Sequence, residues 1–172
     1  MRNKYHEAIR LQMEKFAENP KVLFLGQQVV SEDFYETLEN IPMHARREMP
    51  VAEEMQLGIS IGLALEGYLP VSIYQRMDFL PRAMDQFVNH LNLIESLSRG
   101  LYRPKIIIRT TVGTTKPLDT GLQHSKNLID LMTIACNFPV LVPTTPKEVH
   151  EAYEIARTIE SSILIVEKQE LY

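Results

Sequence analysis

The sequence predicts an α/β fold: three layers, with a mostly parallel, doubly wound sheet between helices. Two observations carry this reading. Runs such as Val22-Leu23-Phe24-Leu25-Gly26 and Ile163-Leu164-Ile165-Val166 are apolar at every position, as strands covered on both faces must be. They alternate with stretches of helical spacing, the order that builds a parallel sheet. At 172 residues the chain is read as one unit, a single domain over 1–172.

Residues 5–18 carry Ala8, Ile9, Leu11, Met13 and Phe16 among charges at helical spacing, and Asn19-Pro20 ends that helix before a strand at 21–26. Ser31-Glu32-Asp33-Phe34 predicts a short capped helix, and 42–50, basic at Arg46 and Arg47, an irregular surface connection. Small and aliphatic residues on nearly every face of 51–67 predict a helix buried all round, followed by a strand at 70–74. One long helix is expected over 80–97, with Pro81 in its first turn and Ser98-Arg99-Gly100 at its end. A strand at 105–110, a loop at 113–124 and a helix capped by Ser125 and running to 135 follow. Strand 138–142, helix 145–159 and strand 163–166 close the pattern.

Eighteen Lys plus Arg against twenty-two Asp plus Glu give a net charge of −4 with no block of like charge, which disfavours nucleic acid and anionic membranes as partners. No apolar stretch approaches the roughly 18 residues of a membrane span, and a charged helical start predicts no signal peptide. The single Cys136 cannot form an intrachain disulfide, and the five histidines have no zinc-site spacing, so a reducing cytoplasmic setting is expected.

A doubly wound sheet binds ligands beyond the carboxyl ends of its strands. The chain has no GxGxxG after its first strand, no GxxxxGK[ST] and no GxSxG, which removes the main support for dinucleotide, P-loop and serine-hydrolase readings. No acidic metal cluster and no Gly-Asp-Gly are present, so no metal ligand is assigned.

What remains is a set of uncommon local patterns: Pro50-Val51-Ala52-Glu53, Gly58-Ile59-Ser60-Ile61-Gly62-Leu63-Ala64, Asp78-Phe79, Asp85-Gln86-Phe87-Val88-Asn89 and Gly121-Leu122-Gln123-His124-Ser125. With these, the chain resembles the pyrimidine-binding (PYR) domain of thiamine-diphosphate enzymes. The likeness is greatest to the N-terminal half of 2-oxo acid dehydrogenase E1 beta subunits, and the transketolase central domain is more distant. It runs from Tyr5-His6-Glu7-Ala8-Ile9 to Leu171-Tyr172, where the family's PYR domain ends, so the family's C-terminal domain is not expected in this chain.

The resemblance implies thiamine diphosphate as cofactor, with its aminopyrimidine bound here and Mg2+ and the diphosphate held by a separate, alpha-like subunit. Glu53 takes the family glutamate's role, sharing a proton with N1′ of the aminopyrimidine. Read from spacing alone, Glu53 is equally an acid facing a helix dipole, as Glu54 is. Phe79 is implied as the ring against the pyrimidine, with Gln75 on the same wall. His124 is implied near the substrate, where it donates a hydrogen bond or a proton to a developing alkoxide. By pattern alone, Phe79 is a core aromatic and His124 a solvated loop residue.

Gly58 and Gly62 leave a helix surface nearly free of side chains. The resemblance makes it a subunit interface, hence a homodimer or heterotetramer. Arg76, Arg82, Arg99, Arg103 and Arg109 are left unassigned. Gln27 and Gln28 stand where E1-type relatives usually carry acids, a departure that bears on communication between active sites.

The expected activity is that of one subunit of a split enzyme that cleaves or transfers a carbon unit beside a carbonyl, on a 2-oxo acid or a ketose. A non-catalytic assembly module of the same fold and a flavodoxin-like nucleotide binder are the competing readings.

Overall fold

A computed structural model gives the architecture, and it describes residues 3–114, 119 and 121–172. Six parallel strands lie in the order β2-β1-β3-β4-β6-β5: β1 (Val22–Gly26), β2 (Arg46–Glu48), β3 (Leu69–Tyr74), β4 (Ile107–Val112), β5 (Val140–Leu141) and β6 (Ile163–Lys168). The apolar runs split by strand alternation. Ile107, Ile163 and Ile165 face one core with Phe24 and Ile73, while Ile108, Leu164 and Val166 face the other.

The first core is closed by α1 (Lys4–Ala17) and α5 (Pro146–Thr158), through Ile9, Met13, Phe16, Val149 and Tyr153. Both helices start on designed caps. Asn3 accepts from the Tyr5 amide at 2.9 Å, and Thr145 accepts from the Glu148 amide at 3.2 Å with Pro146 in the first turn. Full burial of a side chain such as Ile9 contributes about 1.5–3 kcal/mol. The second core lies under α2 (Glu53–Leu65), α4 (Ile129–Ala135) and the 77–97 segment, through Leu57, Leu80, Phe87 and Met132.

Five sequence expectations need correction. Residues 31–36 form no helix; Asp33, Phe34, Tyr35 and Glu36 take positive φ of 51°, 40°, 55° and 61°. The cause is Arg46, whose buried guanidinium donates to the carbonyls of Ile41 at 2.8 Å, Glu39 at 3.2 Å, Val29 and Leu38 and pairs with Asp33. The loop therefore wraps around one cation, and burial of Phe34 and Leu38 offsets a left-handed cost of roughly 1–2 kcal/mol per residue. For the same reason the predicted surface connection contains edge strand β2, with Arg46 buried.

The long helix expected over 80–97 is broken into a 3₁₀ segment (Met77–Ala83), a π-helical turn (Gln86–Leu91) and the short α3 (Ile94–Leu97). Pro81 lacks the amide a regular ladder needs. Beyond it, Asn92 anchors the segment by donating to the Ala135 carbonyl at 2.6 Å and accepting from the Asn137 amide at 3.0 Å. Ser125 caps no helix; its hydroxyl donates to the Gly121 carbonyl, and α4 starts at Ile129.

Finally, α2 is not buried all round. Met55, Ile59 and Leu65 are 44%, 40% and 40% exposed on one stripe with Gly62, because nothing among the described residues covers that side. Among the described residues, no helix is long and apolar enough to cross a membrane.

Candidate functional site

The carboxyl ends of the strands form one edge of the sheet, and the segments leaving that edge carry the candidate residues. After β2, Pro50 to Ala52 turn the chain into α2, whose first residue is Glu53. Ala52 offers no side-chain cap, so Glu53 and Glu54 face the positive end of the helix dipole. Their environments differ: Glu53 is 2% exposed and Glu54 lies in solvent.

Oε2 of Glu53 accepts from Nε of Arg82 at 2.9 Å, and the backbone carbonyl of Glu53 faces the Tyr74 hydroxyl at 3.5 Å. Burial pushes that hydroxyl well above the usual tyrosine range, so it stays a donor. Glu53, Arg82 and Gln86, with Val51, Met55 and Ile59, line an open groove of about 530 Å³, within the size range of small-molecule sites. Gly58 forms part of the same wall, with the side-chain oxygen of Gln86 3.5 Å from where its Cβ would lie.

Phe79 and His124 meet elsewhere on the same edge. Their rings lie 5.6 Å apart at 88°, edge to face. Gly113 permits this, since a Cβ there would sit 1.9 Å from the His124 carbonyl oxygen. The carbonyl of Gln75, just past β3, accepts from the Thr111 hydroxyl at 2.6 Å. Thus Phe79 and His124 come together, while Gln75, Phe79 and His124 do not line the Glu53 groove. The 3₁₀ segment joins the two places, with Phe79 near its start and Arg82 near its end. Part of the expected 113–124 loop lies outside the described residues.

Arg82 and Gln86 are the groove residues that sequence reasoning did not assign. Gln86 sits within the quoted Asp85-Gln86 pattern, whereas nothing in the sequence separates Arg82 from the other arginines. Among these, Arg109 is a buried structural cation. It donates to both Glu167 carboxylate oxygens at 2.8 and 3.0 Å and to Thr37 Oγ1 at 2.9 Å, and Tyr153 and Tyr172 donate to the same carboxylate. Gln28 has φ of 63°, and Glu48 accepts the amides of Gln28 at 2.5 Å and Val30 at 2.8 Å, so the segment after β1 is tied to β2. Among the described residues no cluster of His, Cys, Asp or Glu could hold a metal ion.

The sequence matches the family described as "Transketolase, pyrimidine binding domain" over residues 2–172. The beta subunit of the pyruvate dehydrogenase E1 component from Chaetosphaeridium globosum is 28% identical over 141 residues, covering 73% of this chain and 42% of that protein. The 2-oxoisovalerate dehydrogenase beta subunit of Bacillus subtilis is 24% identical over 174 residues, covering 98% of this chain and 53% of its own length. The chain thus spans about half the length of the curated relatives it matches, or less. A solved structure described as a split-gene transketolase, an inactive beta4 tetramer, superposes with a TM-score of 0.67 at 21% identity, over 95% of this chain and 48% of that one, a likeness of fold. With the match covering 2–172, the chain belongs to the transketolase pyrimidine-binding domain family.

Proposed function

We propose that this chain is the pyrimidine-binding unit of a two-chain thiamine-diphosphate enzyme, residues 1–172 acting as one PYR-type domain and completed by a separate, alpha-like diphosphate-binding chain. The observation that carries the reading is the Glu53 carboxylate: buried, at the base of an open groove, on the edge of the sheet where such folds bind ligands. The residues present fit an aminopyrimidine. Glu53 offers a sheltered carboxylate to a ring nitrogen, and Val51, Met55 and Ile59 supply an apolar wall. Thiamine diphosphate, when bound, supplies the chemistry that cleaves or forms the bond beside a substrate carbonyl.

The chain's own residues have three tasks. Glu53 holds a proton at Oε2 or Oε1 and exchanges it with the ring nitrogen, after giving up its pairing with Arg82. Gln86 and the apolar wall orient the ring and exclude water. His124, steadied edge-on by Phe79, stands as a donor toward the substrate oxygen. The reading also assigns Gln75, just past β3, to the Phe79 side of the site. Magnesium falls to the partner chain, and the substrate is a 2-oxo acid or a ketose. A reducing cytoplasm is the compartment this reading assigns, where the buried thiol of Cys136 stays free.

Association follows from α2. A Cβ on Gly62 would meet nothing within 4 Å, so packing inside this chain gives no reason for the missing side chain. Met55, Ile59 and Leu65 form an exposed apolar stripe beside it. The reading assigns this face to a homodimer or heterotetramer contact, and Gly62→Leu disrupts assembly on light scattering.

Titration calorimetry tests the split site. The chain alone binds thiamine diphosphate weakly or not at all, because its sequence has no Gly-Asp-Gly and no metal-holding cluster stands among the described residues, and binding tightens on adding the partner. Tight, magnesium-dependent binding by the isolated chain overturns the proposal.

A further inference from the structure

The chain buries three arginines wholly or in part near the carboxyl edge, and two of them are fully engaged. Arg46 spends its donors on loop carbonyls and Asp33; Arg109 spends its own on Glu167, Thr37 and Tyr172. Arg76 is the exception. Its Nη1 is sealed from solvent without a hydrogen-bond acceptor, and no ion pair among the described residues takes up its charge. Asp78, two residues on, accepts the Lys126 amide at 3.1 Å through Oδ1 and leaves Oδ2 unpaired without forming an ion pair with Arg76. A buried guanidinium nitrogen without an acceptor is costly, and such a group in a native structure calls for an explanation, of which an anionic partner is one.

The surroundings hold Arg76 in place. Its Cζ lies 5.9 Å from the centroid of the Tyr35 ring. Tyr35 belongs to the left-handed Asp33–Glu36 run, and its ring packs edge-on against Phe34 at 5.0 Å and Tyr172 at 5.5 Å. Its carbonyl lies 2.6 Å from Nε2 of His6. The backbone carbonyl of Arg76 accepts the Phe79 amide at 3.1 Å, opening the turn that sets Phe79 against His124. His124 likewise leaves a sealed Nδ1 without a partner. A strained loop therefore packs against a cation with a free donor, whose own backbone opens the turn carrying Phe79, outside the lining of the Glu53 groove.

Resting on the function proposed above, we infer that Arg76 is the oxyanion-recognising residue of the substrate subsite, taking a carboxylate or phosphate oxygen on Nη1. A guanidinium is matched in shape and charge to both groups. The two sources correspond to the two substrate classes: the carboxylate of a 2-oxo acid, or the phosphate of a phosphorylated ketose.

The test is an NMR titration of the full chain, labelled at arginine side chains, with sodium pyruvate in one arm and inorganic phosphate in the other at constant ionic strength. The Arg76 guanidinium signal shifts saturably in at least one arm, and the arm that saturates at lower concentration names the source. Arg76→Gln weakens that binding by about tenfold or more, the loss expected for a charge-assisted contact. Lys147→Gln, at an exposed position on α5 where the lysine pairs with Glu151, leaves it unchanged. Linear, unsaturating shifts in both arms, or equal affinity in Arg76→Gln, overturn the assignment. If Arg76→Gln fails to fold, Arg76→Lys decides, and unchanged affinity for both anions is the contrary result. Because the readout is binding to the chain alone, it is separable from catalysis. Turnover by the assembled enzyme without anion binding at Arg76 removes only this inference, whereas anion binding without thiamine-dependent turnover removes only the proposed function.

Discussion

Arg82 holds Glu53 across the groove, Nε to Oε2 at 2.9 Å, with the arginine side chain 67% exposed and the carboxylate 2% exposed. This asymmetry decides what the contact is worth. An exposed pair contributes about 0.2–1 kcal/mol, while a buried charge stripped of its partner costs more. A double-mutant cycle of Glu53→Gln and Arg82→Gln, followed by urea unfolding, is expected to give a coupling of about 1 kcal/mol. Coupling indistinguishable from zero means that water already satisfies the carboxylate.

The Arg109–Glu167 pair lies wholly in the core, and both carboxylate oxygens are used. Here the desolvation penalty has no relief from solvent. Burial and the Glu167 charge push the hydroxyls of Tyr153 and Tyr172 well above their usual range, so they remain donors to the carboxylate at any ordinary pH. Removing one partner, as in Arg109→Met, leaves a buried anion unpaired and is expected to cost about 3–5 kcal/mol of stability. Thermal and urea melts measure it.

Burial pushes the thiol of Cys136 up to about 12. The sign follows directly: desolvation penalises the thiolate, so the neutral thiol dominates across the physiological range and the reactive form is scarce. At pH 8 the native thiol should react with a disulfide reagent more slowly than the urea-unfolded thiol by about two to three orders of magnitude. Comparable rates would place Cys136 in solvent.

The strands were legible in the sequence because a parallel sheet demands apolar residues on both faces, and 22–26 and 163–166 supply them. Strand β2 was not, since Arg46-Arg47-Glu48 has no apolar run; Arg46 is buried only because a distant loop folds its carbonyls onto it. The same contact defeats the helical signal at Ser31-Glu32-Asp33, which local propensity cannot anticipate. The place of Glu53 was readable from Pro50 and the helix that follows. Its partner was not, because choosing Arg82 among the arginines depends on how a proline-broken segment crosses α2. The gap between the Glu53 groove and the Phe79–His124 pair is likewise a property of packing rather than of spacing.

The central claim is that Glu53 moves a proton. The most direct measurement is exchange of the cofactor's C2 proton, together with steady-state turnover, in the assembled enzyme carrying Glu53→Gln or Glu54→Gln. The two residues are neighbours on α2, about 100° apart around its axis; both border the groove, but Glu53 is buried and Glu54 exposed. An amide can accept or donate a hydrogen bond there but cannot exchange a proton as a carboxyl does, so Glu53→Gln should slow both processes by about 10² to 10⁴ while the fold and assembly persist. Glu54→Gln should lose only a small dipole contribution and stay close to wild type. Equal exchange and turnover in Glu53→Gln and wild type would contradict the account and leave the non-catalytic module as the reading of this fold.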